Sequence, residues 1–183
     1  MAWIDDWLPQ WQFEEVHHIR SQATPARLLD AAAAYEPGDD AVISAALALR
    51  EAPARLAGRL GGRSALAQRP RFGLADFVAL GRQGDTALAY GLAGRFWEPG
   101  YGLQPLADAA AWQAHADTDA AKLLLGFTVQ QAGGTSTLTT LTRVHCGSAA
   151  TQRRLAAYWL LIRPVSGLIR RRILADVRRA AEQ

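Results

Sequence analysis

From Leu155 to Ala180 the chain places Leu155, Trp159, Ile162, Ser166, Ile169, Ile173, Val177 and Ala180 three or four residues apart. On a helix these positions share one face. Gly147-Ser148 offers an N-cap just before the run. The pattern continues across Pro164, which cannot donate to the carbonyl of Leu160. The spacing therefore predicts one long amphipathic helix kinked at Pro164. A helix of this kind buries its apolar face only against a partner surface.

The residues just before it supply that surface. Lys122 to Gln131 alternates, with Leu123, Leu125, Phe127 and Val129 on one face. Ala132-Gly133-Gly134-Thr135 is a turn signal. Ser136 to Cys146 is rich in threonine, which favours strands, and sets Leu138, Thr140, Thr142, Val144 and Cys146 on one side. A second hairpin reads from Phe77–Arg82 and Thr86–Trp97 around Gln83-Gly84-Asp85. There Leu88, Tyr90, Leu92 and Phe96 share one face, opposite Ala87, Ala89, Gly91, Ala93, Arg95 and Trp97. Ala109 to Thr118 is expected as a short strand carrying Trp112.

Toward the N-terminus, Phe13 to Ala23 reads as a first strand. Thr24-Pro25 then caps and starts a helix that runs to Ala34. Residues 41–60 suggest a second helix, broken or kinked at Pro53, and Gly61-Gly62-Arg63-Ser64 a loop. Trp3, Trp7 and Trp11 stand four apart, but Pro9 interrupts a regular helix. Residues 1–12 are therefore expected as a lead-in segment packed on one domain that spans 1–183. Strands in a run with one long terminal helix make an α+β fold. That helix is the element long enough to cover the sheet's apolar face.

Charge is divided unevenly. Residues 121–183 carry nine Arg and one Lys against two acids, and no carboxylate lies between Ala120 and Ala175. A basic face of this kind draws anionic partners, or is simply solvated. Arg170-Arg171-Arg172 and Arg178-Arg179 resemble a phosphate-contacting stripe. The apolar side of the helix is committed to the sheet, however, and no stacking aromatics accompany the stripe, so nucleic acid is not expected. The single cysteine, Cys146, allows no intrachain disulfide. The first residues lack a signal-peptide pattern, and no apolar run approaches a membrane span. A cytoplasmic protein without stable membrane insertion is the expectation.

Three stretches carry a family resemblance. They are Trp7-Leu8-Pro9-Gln10-Trp11-Gln12-Phe13-Glu14-Glu15 leading to Thr24-Pro25-Ala26-Arg27; Gly94-Arg95-Phe96-Trp97-Glu98-Pro99-Gly100; and Tyr158-Trp159-Leu160-Leu161-Ile162-Arg163-Pro164-Val165-Ser166-Gly167-Leu168-Ile169-Arg170-Arg171. With the element order, they make the chain resemble the SRPBCC superfamily of START lipid-transfer domains, polyketide cyclases and birch-pollen-allergen-like proteins. The likeness is to an uncharacterised bacterial branch and spans nearly the whole chain, loosely over residues 38–75. It implies a helix-grip fold, a curved antiparallel sheet around the terminal helix, with a ligand cavity between them. Similar sequences occur appended to oxidoreductase-like domains, which keeps a protein partner open.

The residues suited to line such a cavity are Tyr90, Arg95, Trp97, Trp112, Thr140, Thr142, Tyr158, Trp159 and Arg163, with His145 and one of His17 or His18. Arg95 has two readings, a bidentate anion contact or a pair with Glu98. Arg163 likewise either meets a ligand or bonds carbonyls freed at the proline. No two histidines stand at metal-ligand spacing, so no metal is expected. There is no Gly-x-Ser-x-Gly elbow, which speaks against nucleophilic catalysis. Gly91-Leu92-Ala93-Gly94 opens no helix and is no dinucleotide fingerprint, so no cofactor is expected. His145 and Cys146, neighbours on a strand, point oppositely and form no catalytic pair. These readings favour binding of a small hydrophobic or amphipathic ligand. The alternatives are a cyclase or dehydratase using a pocket Tyr, His or Arg, and an accessory module for a separate oxidoreductase.

Overall fold

The computed structural model describes residues 2–36, 73–98 and 100–183. The helix expected over residues 41–60 and the loop after it lie outside the described residues. The described elements are α1 (Ala2–Trp7), β1 (Phe13–Ser21), α2 (Pro25–Ala33), β2 (Val78–Gln83), β3 (Ala87–Gly94), α3 (Ala109–Ala114), β4 (Ala121–Ala132), β5 (Thr135–Cys146) and α4 (Ala149–Glu182). The architecture is α+β. Five strands form one open antiparallel sheet in the order β1-β5-β4-β3-β2, and a long helix closes the chain.

The β4–β5 hairpin is the spine of the sheet. It pairs from Ala132↔Thr135 to Ala121↔Cys146 without interruption. Gly133 and Gly134 form the turn with φ of 57° and 82°. Positive φ at both positions suits a two-residue hairpin, whose twist then matches that of the strands. β1 adds to the free edge of β5, with Phe13 opposite Val144 and Ser21 opposite Ser136. β3 adds to β4, with Leu88 opposite Phe127. A bulge between Ala79 and Gly81 adjusts β2.

Local signals explain the helix boundaries. The Thr24 side chain caps α2, accepting from the Arg27 amide, with Pro25 in the first turn. Ser148 caps α4 by accepting from the Thr151 amide at 3.2 Å. α4 runs 34 residues, through Pro164, and is about 50 Å long.

Two sequence expectations change. Ala109–Ala114 is a helix, α3, not a strand. Asp108 caps it by accepting from the Ala111 amide at 2.8 Å, and three successive alanines favour helix. β3 ends at Gly94 rather than Trp97. There the backbone turns, with the Glu98 amide bonded to the Arg95 carbonyl and the Tyr101 amide to the Glu98 carbonyl.

The sheet has two packed faces. On the outer face Ile4, Leu8, Leu80, Ala87, Ala89, Trp112, Leu124 and Leu141 form one cluster, with Trp3, Trp7 and Trp11 against it. α1 ends at Trp7, before Pro9, so the tryptophans reach the sheet from a helix and the segment following it. Arg143 fastens this lead-in. Its nearly buried guanidinium pairs with Asp5 and Glu14 and stacks 3.6 Å from the Trp11 ring centre. On the inner face two clusters form. Leu174, Val177 and Ala181 of α4 pack with Leu28, Leu29, Leu125, Phe127, Val129 and Leu138. Leu155 packs with Leu92, Phe96, Val144 and Cys146.

Candidate functional site

A cavity of about 210 Å³ lies between the two inner clusters, walled by the sheet and α4. The sheet side supplies Leu92, Leu123, Leu125, Phe127, Thr142 and Val144. The α4 side supplies Leu155, Tyr158, Trp159, Ile162, Ser166, Ile169, Arg170 and Ile173. Those helix positions are the inner stripe of the 3.6-residue period and its two shoulders. Large side chains on both walls flank the space between this stripe and β3, β4 and β5.

One wall contains a strained residue. Tyr101 is buried, lines the cavity and has φ of 64°, in the left-handed region. That conformation costs a non-glycine residue about 1–2 kcal/mol. The loop is pinned by the Arg95 amide to the Gly102 carbonyl and the Gln104 amide to the Ala93 carbonyl.

The polar side of the cavity is built where α4 crosses β1. Alternation along β1 turns Phe13, Glu15, His17, Ile19 and Ser21 toward the helix, and leaves Glu14, Val16 and His18 exposed. Glu15 is buried. Its Oε2 accepts from Ser166 Oγ at 2.8 Å, and its Oε1 accepts from His17 Nε2 at 2.8 Å. Gly167 makes this crossing close: a Cβ there would stand 3.0 Å from Glu15 Oε1. Thr142 pairs across from Glu15, and Thr140 from His17. The Thr140 hydroxyl is buried with no hydrogen-bond partner. Ser166, Thr142 and Arg170 reach from this cluster to the cavity wall.

Arg170 is one turn beyond Ser166 on the same helix. Burial pulls its guanidinium down to about 10, while the Glu15 carboxylate works in the opposite direction. It therefore carries full charge at neutral pH. Burial pushes the Cys146 thiol up to about 11, which leaves it protonated and inert.

Of the residues expected in the cavity, Thr142, Tyr158 and Trp159 line it. Trp112 does not. It is fully buried on the outer face, its ring against the backbone of Gly91 and its Nε1 donating to the Leu92 carbonyl at 3.2 Å. Its assignment to a strand put it on the wrong layer. Arg95 points away and faces Glu98 at 3.8 Å, so the ion-pair reading is the one observed. Trp97, past the end of β3, packs at the edge of the Leu155 cluster. Tyr90 faces inward but packs into the Leu125–Phe127 cluster, and burial raises its phenol above the ordinary range. Thr140 is buried beside the cavity rather than on its wall. Arg163 is exposed on the outer side of α4. His17 faces in, while His18 is exposed, and the Nδ1 of His145 is buried without a partner.

Three residues of the site were not singled out from sequence: Glu15, Ser166 as a polar group, and Arg170. Parity along β1 places Glu15 with His17. The helical period places Arg170 three residues before Ile173 and four after Ser166, at the shoulder of the apolar stripe. Within Arg170-Arg171-Arg172 it looks like part of a solvated run, but its inward position breaks that phosphate-contacting stripe.

No described helix is long and apolar enough to cross a membrane. No family model, curated protein or solved structure matches the chain.

Proposed function

We propose that the chain is a helix-grip protein of the SRPBCC type that binds a small, mostly apolar molecule between sheet and terminal helix, in the cytoplasm. The observation that carries this is the cavity itself. It is bounded chiefly by aliphatic and aromatic side chains, with a few polar groups gathered at the Glu15–Ser166 crossing. Ligand sites have this composition, an apolar body with a few placed polar groups that fix orientation. Packing alone does not favour such a space, because each void forfeits contacts that a filled core would make.

A thermal-shift titration with fatty acids, isoprenoids and aromatic polyketides tests the proposal. A ligand present at about 100 times its Kd stabilises the native state by about 2.7 kcal/mol. A clear rise in Tm is expected with at least one class. No shift with any of the three removes the reading.

A second reading, an accessory module beside a separate oxidoreductase, draws on the outer side of α4. Leu160 and Leu161 are 75% and 78% exposed there, and Leu168 is 47% exposed. Arg153, Arg154 and Arg171 are exposed on the same helix, and no carboxylate occurs between Ala120 and Ala175. A partner surface with apolar and acidic groups would complement this face. A photo-crosslinker at position 161 in the native cell tests it. A specific crosslink to an oxidoreductase supports the reading, and the lack of any specific crosslink counts against it.

A further inference from the structure

We propose that Arg170 anchors the head group of the cavity's ligand, and that this ligand is an amphipathic monocarboxylate with its tail among the aliphatic side chains. This inference rests on the cavity reading above. Arg170 is the one cationic side chain among the described residues of the cavity wall. A guanidinium carries five N–H donors and no acceptor. No hydrogen bond or ion pair ties Arg170 to any described residue, although Asp, Glu and carbonyl partners are found for Arg82 and Arg143. A charge held partly out of water without a partner is costly, so the site is incomplete as it stands.

The Glu15 carboxylate does not complete it. Glu15 attracts Arg170 electrostatically, but its two oxygens are engaged by Ser166 Oγ and His17 Nε2, each at 2.8 Å. These bonds hold the carboxylate against β1 and the close crossing at Gly167. Glu15 thus helps keep the guanidinium charged while leaving its donors available to the cavity.

The head group follows from this arrangement. A carboxylate offers two coplanar oxygens that match a guanidinium edge in a bidentate pair. A phosphate monoester brings close to two negative charges, and no second cation lines the described wall. Glu15 would repel the excess charge. An alcohol or ketone would leave most of the donors unpaired.

Matched probes test the proposal on the full chain. Calorimetric titrations compare decanoate, decan-1-ol and decyl phosphate, which share a tail and differ in head group. Wild-type protein should bind decanoate about ten-fold or more tightly than decanol, the scale of one charge-assisted hydrogen bond. Arg170→Gln should erase that difference and leave decanol affinity within about two-fold of wild type. Arg170→Lys, which keeps the charge but not the fork, should retain part of the preference. Circular dichroism and the retained decanol binding show that the variants fold. Arg163→Gln, an exposed arginine on the same helix, should change nothing.

Equal binding of decanoate and decanol by wild type would overturn the anchor while leaving the cavity reading intact. So would a decanoate preference that survives Arg170→Gln. Tighter binding of decyl phosphate than decanoate would overturn the carboxylate assignment. If neither decanoate nor decanol binds, the anchor fails, and the cavity reading fails with it when isoprenoids and aromatic polyketides also give no thermal shift.

Discussion

The two faces of the sheet are packed by opposite means. Where α1 and α3 cover it, the outer face sets small residues of β3 and Gly126 of β4 against large ones on the covering segments, with Leu80, Leu124 and Leu141 filling between them. Ala87, Ala89, Gly91 and Gly126 let Trp112 and Ile4 lie directly on the backbone. A Cβ on Gly91 would stand 2.7 Å from the Trp112 ring, and one on Gly126 would stand 2.8 Å from Ile4 Cδ1. The inner face puts large residues on both partners, Leu123, Leu125 and Phe127 against Trp159, Ile162 and Ile173. Large against small interdigitates and fills space. Large against large holds the layers apart wherever the side chains cannot mesh, and here that leaves a cavity. The outer face is therefore filled, whereas the inner face is packed at both ends and keeps open space between them.

Substitutions can break that contrast. Trp112→Ala should have the largest effect, lowering stability by about 3–5 kcal/mol in urea denaturation, because the ring is fully buried in a filled layer. A loss below about 1 kcal/mol would show that the outer face is not close-packed. Gly91→Ala comes next. The added methyl meets the indole, so a loss of about 1–3 kcal/mol is expected. Ile162→Phe, on the cavity wall, should have the smallest effect on stability, under about 1 kcal/mol, because the extra atoms enter empty space. The same change should weaken binding of every apolar probe. If Ile162→Phe destabilises as much as Gly91→Ala, the inner face is as tightly filled as the outer and the contrast disappears.

A smaller check sharpens the picture at the edge of the inner face. Cys146 is buried in the Leu155 cluster with its thiol pushed up to about 11. Native protein at pH 8 should resist iodoacetamide and label only on unfolding, as read by mass spectrometry. Rapid labelling of the folded chain would mean that this end of the helix opens readily.

Much of the scaffold was legible because it follows from local rules. Thr24-Pro25, Ser148 and Gly133-Gly134 mark boundaries by hydrogen-bonding and dihedral preferences that act within a few residues. Period-two alternation sorted β3, β4 and β5 onto the correct faces. The failure at Trp112 has the same origin. Asp108 capping Ala109–Ala114 is a short-range signal for helix, but a large aromatic among hydrophobic residues also suits a strand. Only its contact with Gly91, some twenty residues earlier, fixes which layer it joins.

The candidate site was less legible, because its polar residues come from distant parts of the chain. Arg95 and Arg163 attracted attention by standing alone beside aromatic or proline signals, and both face outward or into a surface pair. Arg170 was hidden in a run of three arginines, and Glu15 beside a second glutamate. Residue type does not tell which member of such a run turns inward; only parity along β1 and spacing against the apolar stripe of α4 do.

The sequence by itself determined the five strands of the sheet, the hairpin turns, the caps at Thr24 and Ser148 and the inner stripe of α4, since each depends on periodicity or on contacts within one or two turns of chain. Only the tertiary structure decided that α4 crosses β1 at Gly167, where a missing side chain permits close approach. That crossing brings Glu15, His17, Ser166 and Arg170 to one side of the cavity, although about 150 residues separate the two segments. The physical reason is that secondary structure is set by neighbours along the chain, whereas a cavity and the charges around it are set by how closely two distant elements can pack.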